Sequence, residues 1–303
     1  MKKISKALIS SLVLLCSGAS LPLLAVTNEL QTSSPQKIVS ADGSLTEIVY
    51  ALEQQFLLVG VDTTSGYPLD ATKLPQIGYK RNISAEGVLS LAPQVLIATQ
   101  DSGPDKILKQ IEEAGVIIKK YSAKPELNVV KEKITGVAKL LNVEAQGAAL
   151  WAKVESEVKQ AQQTLKDVKT PVKVMFVLSA KSGSPLVSGD ETMADAIIKL
   201  AGGINAAQGF SSYKPMSAES IIAAAPDIIL MMDRGGDHSA SSDIFEQPGF
   251  KLTPAAQNKR LVVMDGMLML GFGPRVGLAV ERLVAAFYPQ LALANNETKQ
   301  VNE

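Results

Sequence analysis

Gly78-Tyr79-Lys80-Arg81-Asn82-Ile83-Ser84-Ala85-Glu86-Gly87-Val88-Leu89-Ser90-Leu91-Ala92-Pro93 sets a phenol beside a guanidinium, then a carboxylate near the start of a short helix. Its second half returns as Met216-Ser217-Ala218-Glu219-Ser220-Ile221-Ile222-Ala223-Ala224-Ala225-Pro226-Asp227. Each copy reads Ser-Ala-Glu, then apolar residues, then Ala-Pro ahead of an apolar run. The offset, 219 − 86 = 133 residues, predicts a chain of two similar halves.

Around both copies, short apolar runs alternate with helical patterns, as expected of parallel strands joined by crossover helices. In the first half, strands are expected at residues 37–40, 56–61, 95–98 and 116–121. Helices are expected at 43–52, from 83 to just before Pro93, and at 105–114, with Ser44 and Glu47 spaced as a capping box. In the second half the expected strands are 172–178, 228–232 and 261–264, and the helices 192–200, 218–225 and 274–288. Between the halves the pattern is helical from residue 127, with a weak point near Asn142. Residues 143–168 predict one helix, roughly 39 Å long at about 1.5 Å per residue. The polar character of its second half predicts an exposed connector lying across both halves rather than a core element.

The expected fold class is therefore α/β: two Rossmann-like lobes with central parallel-type sheets, joined by a single long backbone helix, with a ligand cleft between them. The boundaries are a signal peptide at 1–25, a linker at 26–36, an N-terminal lobe at 37–142, the interlobe helix at 143–168, a C-terminal lobe at 169–290 and a polar tail at 291–303.

A length of 303 residues favours about two domains. Hydrophobic residues at 46% and charged residues at 20% describe a globular chain, and 30 basic residues balance 30 acidic ones. No global charge recruits nucleic acid or an anionic membrane. At the N-terminus, Lys2, Lys3 and Lys6 precede an apolar run from Ala7 to Leu15, with small residues at Ser17, Ala19 and Ala25. That run is shorter than the roughly 20 residues a spanning helix needs, so it predicts a cleavable export signal and a periplasmic location. Cys16, the one cysteine, lies inside this segment, and the bulky Leu15 before it argues against lipidation.

Catalytic equipment is scarce. With His238 as the one histidine, no zinc site of several imidazoles can form, and the mature chain has no thiol nucleophile. No Gly-x-Ser-x-Gly elbow, phosphate loop or Gly-x-Gly-x-x-Gly occurs. No catalytic residue is expected, and two α/β lobes without one are what a closing binding protein needs. Tyr79 and Arg81, two residues apart, project to one face of an extended segment. A guanidinium beside a phenol favours its anionic form, a hard oxygen ligand suited to ferric iron, and tyrosine is one of the axial ligands of haem.

From residue 37 to 289 the chain resembles bacterial substrate-binding proteins with a rigid interlobe helix, which serve importers of cobalamin, siderophores and haem. Within that class, Gly78-Tyr79-Lys80-Arg81 followed by Ile83-Ser84-Ala85-Glu86-Gly87 is similar to the haem-binding periplasmic proteins. Ser188-Gly189-Asp190-Glu191-Thr192-Met193-Ala194-Asp195-Ala196 and Gly202-Gly203-Ile204-Asn205-Ala206-Ala207 carry the resemblance into the second half. The resemblance implies capture of ferric haem, with Tyr79 as axial iron ligand and Arg81 either supporting the phenolate or meeting a propionate. It implies that Glu86 and Glu219 dock onto the two subunits of an ABC permease, with its ATPase, in the inner membrane, and that the protein acts as a monomer. A ferric siderophore or cobalamin on the same fold is the alternative ligand. An enzyme or haem chaperone of the same compartment needs catalytic groups that the sequence does not supply.

Softer candidates complete the set. In some family members a second-lobe histidine joins the site, and here His238 is the one candidate, in a glycine-rich loop. Met264, Met267 and Met269 end or follow a strand and can offer thioether surface to a porphyrin or pack in the core. Arg275 can pair with a propionate or form an ion pair on its helix. Phe210, Tyr213 and Lys214 precede the second glutamate unit at the expected cleft mouth, and Asp233 can pair with Arg234.

Overall fold

The computed structural model describes residues 36–180, 184–233 and 243–291. The signal peptide and most of the linker, Arg234 and His238, and the tail from residue 292 lie outside the described residues.

The first lobe runs β1 (Ile38–Ala41), α1 (Gly43–Ala51), β2 (Leu58–Val61), β3 (Gly78–Tyr79), β4 (Asn82–Ile83), α2 (Ala85–Leu89), β5 (Val95–Thr99), α3 (Asp105–Glu113) and β6 (Ile117–Tyr121). β2, β1, β5 and β6 form a parallel sheet in that order. Every residue of β1 and β5 is buried, because helices cover both faces of the sheet. Asp42, rather than Ser44, caps α1, accepting from the Ser44 backbone N–H at 2.8 Å. Glu47 is therefore free for a different partner.

α4 (Leu127–Leu140) and α5 (Glu144–Gln163) lead to the second lobe. There follow β7 (Lys173–Ser179), β8 (Leu186–Ser188), α6 (Met193–Leu200), β9 (Ile204–Asn205), β10 (Tyr213–Pro215), α7 (Ala218–Ala224), β11 (Ile228–Asp233), α8 (Pro254–Gln257), β12 (Leu261–Asp265), α9 (Gly266–Leu270) and α10 (Val276–Phe287). This sheet is mixed, in the order β10-β8-β7-β11-β12 with β9 beside β7. β7, β11 and β12 are parallel, and on one side β8 runs antiparallel to both its neighbours, β7 and β10. The expectation of parallel sheets thus holds fully for the first lobe and for the centre of the second.

The connector departs from its sequence reading. α5 has 20 residues, about 30 Å, and passes into a 3₁₀ turn at Thr164–Asp167. It is not simply exposed: Gly147, Val154, Val158 and Ala161 are buried against α4 and α10. Gly277 of α10 has no room for a side chain, since a Cβ there would stand 2.4 Å from the Glu157 Cβ. Each buried valine contributes about 1.5–3 kcal/mol. One continuous hydrophobic cluster holds Leu45 and Ile134 from the first lobe, Val154 and Val158 from α5, and Phe176 and Leu283 from the second. Two smaller clusters fill the far side of each sheet, around Ile77 and Leu96 in one lobe and Ile221 and Phe250 in the other.

Candidate functional site

The carboxyl ends of both sheets open onto one cleft of about 1120 Å³. The space beyond the carboxyl ends of parallel strands is the usual ligand site of an open α/β sheet. Its volume exceeds what a bare metal ion requires and lies just above the usual range of small-molecule sites.

Tyr79 reaches the cleft from a hairpin. β3 and β4 pair Gly78 with Ile83 and Tyr79 with Asn82, leaving Lys80 and Arg81 as a two-residue turn. Gly78 adopts φ +97°, and a Cβ there would stand 2.9 Å from the Asn82 carbonyl oxygen. Tyr79 and Arg81 do share one face, but a tight turn, not an extended strand, brings them together. Arg81 Nη1 donates to the Tyr79 phenolic oxygen at 3.1 Å, and the tyrosine is 43% exposed.

Beneath the hairpin lies an ionic network that the sequence reading missed. Arg81 Nη2 donates to Asp101 Oδ2 at 2.6 Å. Lys80 turns inward, its ammonium 2.7 Å from Asp42 Oδ2 and 3.2 Å from Asp101. Burial pushes the Asp42 carboxyl up, but Lys80 and Lys133 outweigh it and hold the group below the usual carboxylate range. Asp62 accepts from Thr64 and Ser65 and from the Lys80 backbone N–H at 3.2 Å. With no cation paired to it, burial pushes Asp62 up to about 6. Lys133 of α4 donates to Ser44 Oγ at 2.9 Å and to the Gly271 carbonyl of the second lobe at 3.4 Å, and burial draws its ammonium down to about 8. A sequence signal for this network existed: Asp42 and Asp62 directly follow buried parallel strands, and Asp101 comes two residues after β5.

The second lobe faces the cleft with Leu178, Met193, Tyr213, Met232, Met267 and Leu270, together with the carboxylates Glu191, Asp233 and Asp265. Tyr213 packs edge-on against Phe176, ring centroids 6.3 Å apart, and burial pushes its phenol up, with Thr192 and Arg81 only partly offsetting that. Asp265 is committed to capping α9, accepting from the Leu268 N–H at 2.7 Å. Lys214 lies over the Phe210 ring, and neither side chain lines the cleft.

Met264, Met269 and Arg275 likewise lie outside the cleft lining, Met264 in the shared core. Met269 is fully buried in the shared core, while Met267 lines the cavity. Residues two apart on a strand share a face, but on α9 they stand about 200° apart. Arg275 meets a carboxylate of the protein itself, Glu47 of α1, as a two-pronged ion pair between the lobes with Nε 2.7 Å from Oε2. Its guanidinium also stacks on Tyr67, 3.7 Å from the ring centroid. Arg275 is therefore committed to an ion pair that joins the lobes, outside the cleft lining. His238 lies outside the described residues.

Glu86 and Glu219 stand exposed in the first turns of α2 and α7, outside the cleft lining. Ser84 and Ser217 cap the two helices in the same way, accepting from Gly87 and Ser220. Among the described residues no group of three or more His, Cys, Asp or Glu side chains could hold a metal ion, and no helix is long and apolar enough to cross a membrane.

Comparison with known proteins gives a consistent frame. The family model described as "Periplasmic binding protein" matches residues 38–268. The periplasmic heme-binding protein RhuT from Roseiflexus sp. RS-1, solved in apo form, is 38% identical with a TM-score of 0.80, covering 84% of this chain and 99% of that one. The periplasmic heme-binding protein BhuT, solved in complex with two hemes, is 38% identical with a TM-score of 0.79 over the same shares. The ABC transporter substrate-binding lipoprotein YvrC of Bacillus subtilis (strain 168), whose role is uncharacterised, is 26% identical over 258 residues, 84% of this chain and 81% of that protein.

Proposed function

The chain belongs to the periplasmic binding protein family, and from that premise we propose that it captures ferric haem between its lobes through Tyr79 and delivers it to an ABC permease. The observation that carries the reading is the Tyr79–Arg81 pair on the wall of a cleft large enough for a tetrapyrrole. A phenolate supplies a hard anionic ligand to ferric iron, and a guanidinium donor stabilises that anion. Haem presents broad apolar faces and confines its carboxylates to one edge. Met193, Met232, Met267, Leu178 and Leu270 match such a face. Among the described lining residues Arg81 is the one cation, already paired with Asp101, against four carboxylates. That balance disfavours a multiply anionic ferric catecholate siderophore.

Haemin titration of the mature protein and of Tyr79→Ala, followed by absorbance, tests the reading. We expect a Soret band for the native protein and an affinity at least about 100-fold lower for the variant, roughly 2.7 kcal/mol. Equal affinity and an unchanged spectrum reject Tyr79 as the ligand. Absence of any Soret change in the native protein points instead to a siderophore or cobalamin.

Delivery is assigned to Glu86 and Glu219. Their matching exposure and capping support two like contacts on two like permease subunits, where charge pairing sets register and encounter rate. The double variant Glu86→Ala with Glu219→Ala is expected to bind haemin normally and to lose most transport in reconstituted vesicles. Full transport removes this assignment.

A further inference from the structure

We propose that Asp101 is a positioning residue that commits Arg81 to the Tyr79 phenol rather than to a carboxylate of the ligand. The proposal rests on Tyr79 being the iron ligand, and it decides between the two roles open to Arg81. The Arg81 side chain is 58% exposed and sits in a turn, and its one side-chain partner on its own hairpin is Tyr79. The 3.1 Å bond to the Tyr79 oxygen is long, whereas the bond of 2.6 Å to the Asp101 carboxylate is short and charge-assisted, and it is the one that anchors the guanidinium.

Asp101 is itself immobilised. Its Oδ1 accepts from Thr99 Oγ1 at 2.7 Å, and Lys80 Nζ lies 3.2 Å away. Lys80 is tied in turn to Asp42, the N-cap of α1. A continuous chain of polar contacts therefore runs from the start of a buried helix to the phenol, and Asp101 is the link at which it emerges into the cleft. The guanidinium fork matters here, because two different nitrogens serve Asp101 and Tyr79 at once. With its charge balanced by Asp101, Arg81 acts on the phenol as an aimed donor and is not available as a free cation.

The test measures haem transfer from the loaded protein to an excess of a tighter acceptor, together with the visible spectrum of the complex. Asp101→Asn is expected to release haem about tenfold faster and to shift the phenolate-to-iron absorption. The double variant Asp101→Asn with Arg81→Ala is expected to release it no faster than Arg81→Ala alone, since one residue acts through the other. Unchanged release by Asp101→Asn, or additive effects in the double variant, overturns the proposal. Should Asp101→Asn fold poorly, Arg81→Lys serves: a single ammonium lacks the fixed fork whose two nitrogens serve Asp101 and Tyr79 in set directions, so the same acceleration is expected, and native release contradicts the proposal. Haem binding that ignores Tyr79→Ala defeats the ligand assignment itself. Binding that needs Tyr79 but ignores Asp101 defeats this inference alone.

Discussion

The two walls of the cleft are built from similar parts and finished with different chemistry. In the first lobe the strand ends deliver Asp42, Asp62 and Asp101 into a network with Lys80, Lys133 and Arg81, and Tyr79 stands at its surface. In the second lobe the strand ends deliver Asp233 and Asp265, but the wall is dominated by Met193, Met232, Met267 and Leu270. Each lobe also sends a tyrosine to the cleft shortly before its Ser-Ala-Glu helix. Tyr79 is half exposed beside a guanidinium, whereas Tyr213 is packed against Phe176 and kept protonated by burial. The difference teaches that a duplicated frame can divide labour: one wall gathers charge around an exposed phenol, which the proposed function makes the ligand, and the other supplies an apolar face.

The most severe way to probe this contrast is to break an ion pair in each lobe. Lys80→Ala leaves buried Asp42 without its ion-pair partner, with Lys133 as the remaining cation nearby, and is expected to cost up to about 3–5 kcal/mol in chemical denaturation. Lys199→Ala removes an exposed ammonium from Asp195, which keeps other donors, and is expected to cost about 1 kcal/mol or less. Similar losses would erase the claimed asymmetry of the two interiors.

A pH series sharpens it further. Unfolded, Asp62 ionises near 3.8; folded, burial holds its proton to about 6. The folded chain therefore binds more protons between those values, so this group's contribution is full below about 4 and is lost as pH rises through about 6. The loss amounts to roughly 3 kcal/mol. Asp62→Asn should remove that slope from stability measured between pH 4 and 7, and an identical slope in the variant would show that the native carboxyl titrates normally.

The smallest effect is expected at Tyr213. Replacing it by Phe removes a hydroxyl that burial keeps neutral, and haemin affinity should change by less than about threefold. A loss comparable to that of Tyr79→Ala would make the second lobe a ligating wall as well.

Element order was largely legible because the buried strands are short apolar runs, and the helices between them begin at recognisable caps such as Ser84, Thr192 and Ser217. The hairpin was not, since a Lys-Arg turn carries none of the Asn-Gly signals that announce one. Nor was the packing of α5, whose Val154 and Val158 form a narrow stripe among polar residues. At the site, Tyr79 and Arg81 could be named from spacing and resemblance, while Lys80 between them carried no signal of its own. Its burial depends on Asp42 and Asp101, 38 and 21 residues away, and such a pairing appears only when the sheet is assembled. Arg275 shows the same limit, because its carboxylate lies 228 residues upstream.

The hydrophobic cluster that runs unbroken from Leu45 through Val158 to Leu283 has a consequence for signalling. A seam of that kind, reinforced by Arg275 and Glu47, ties the lobes through one shared interior, and under the proposed docking the spacing of Glu86 and Glu219 is then set by the protein's own packing. A transporter that measures only that distance reads identity, not occupancy. On that reading, news of a loaded cleft falls to the cleft-facing hairpin that carries Tyr79 and Arg81.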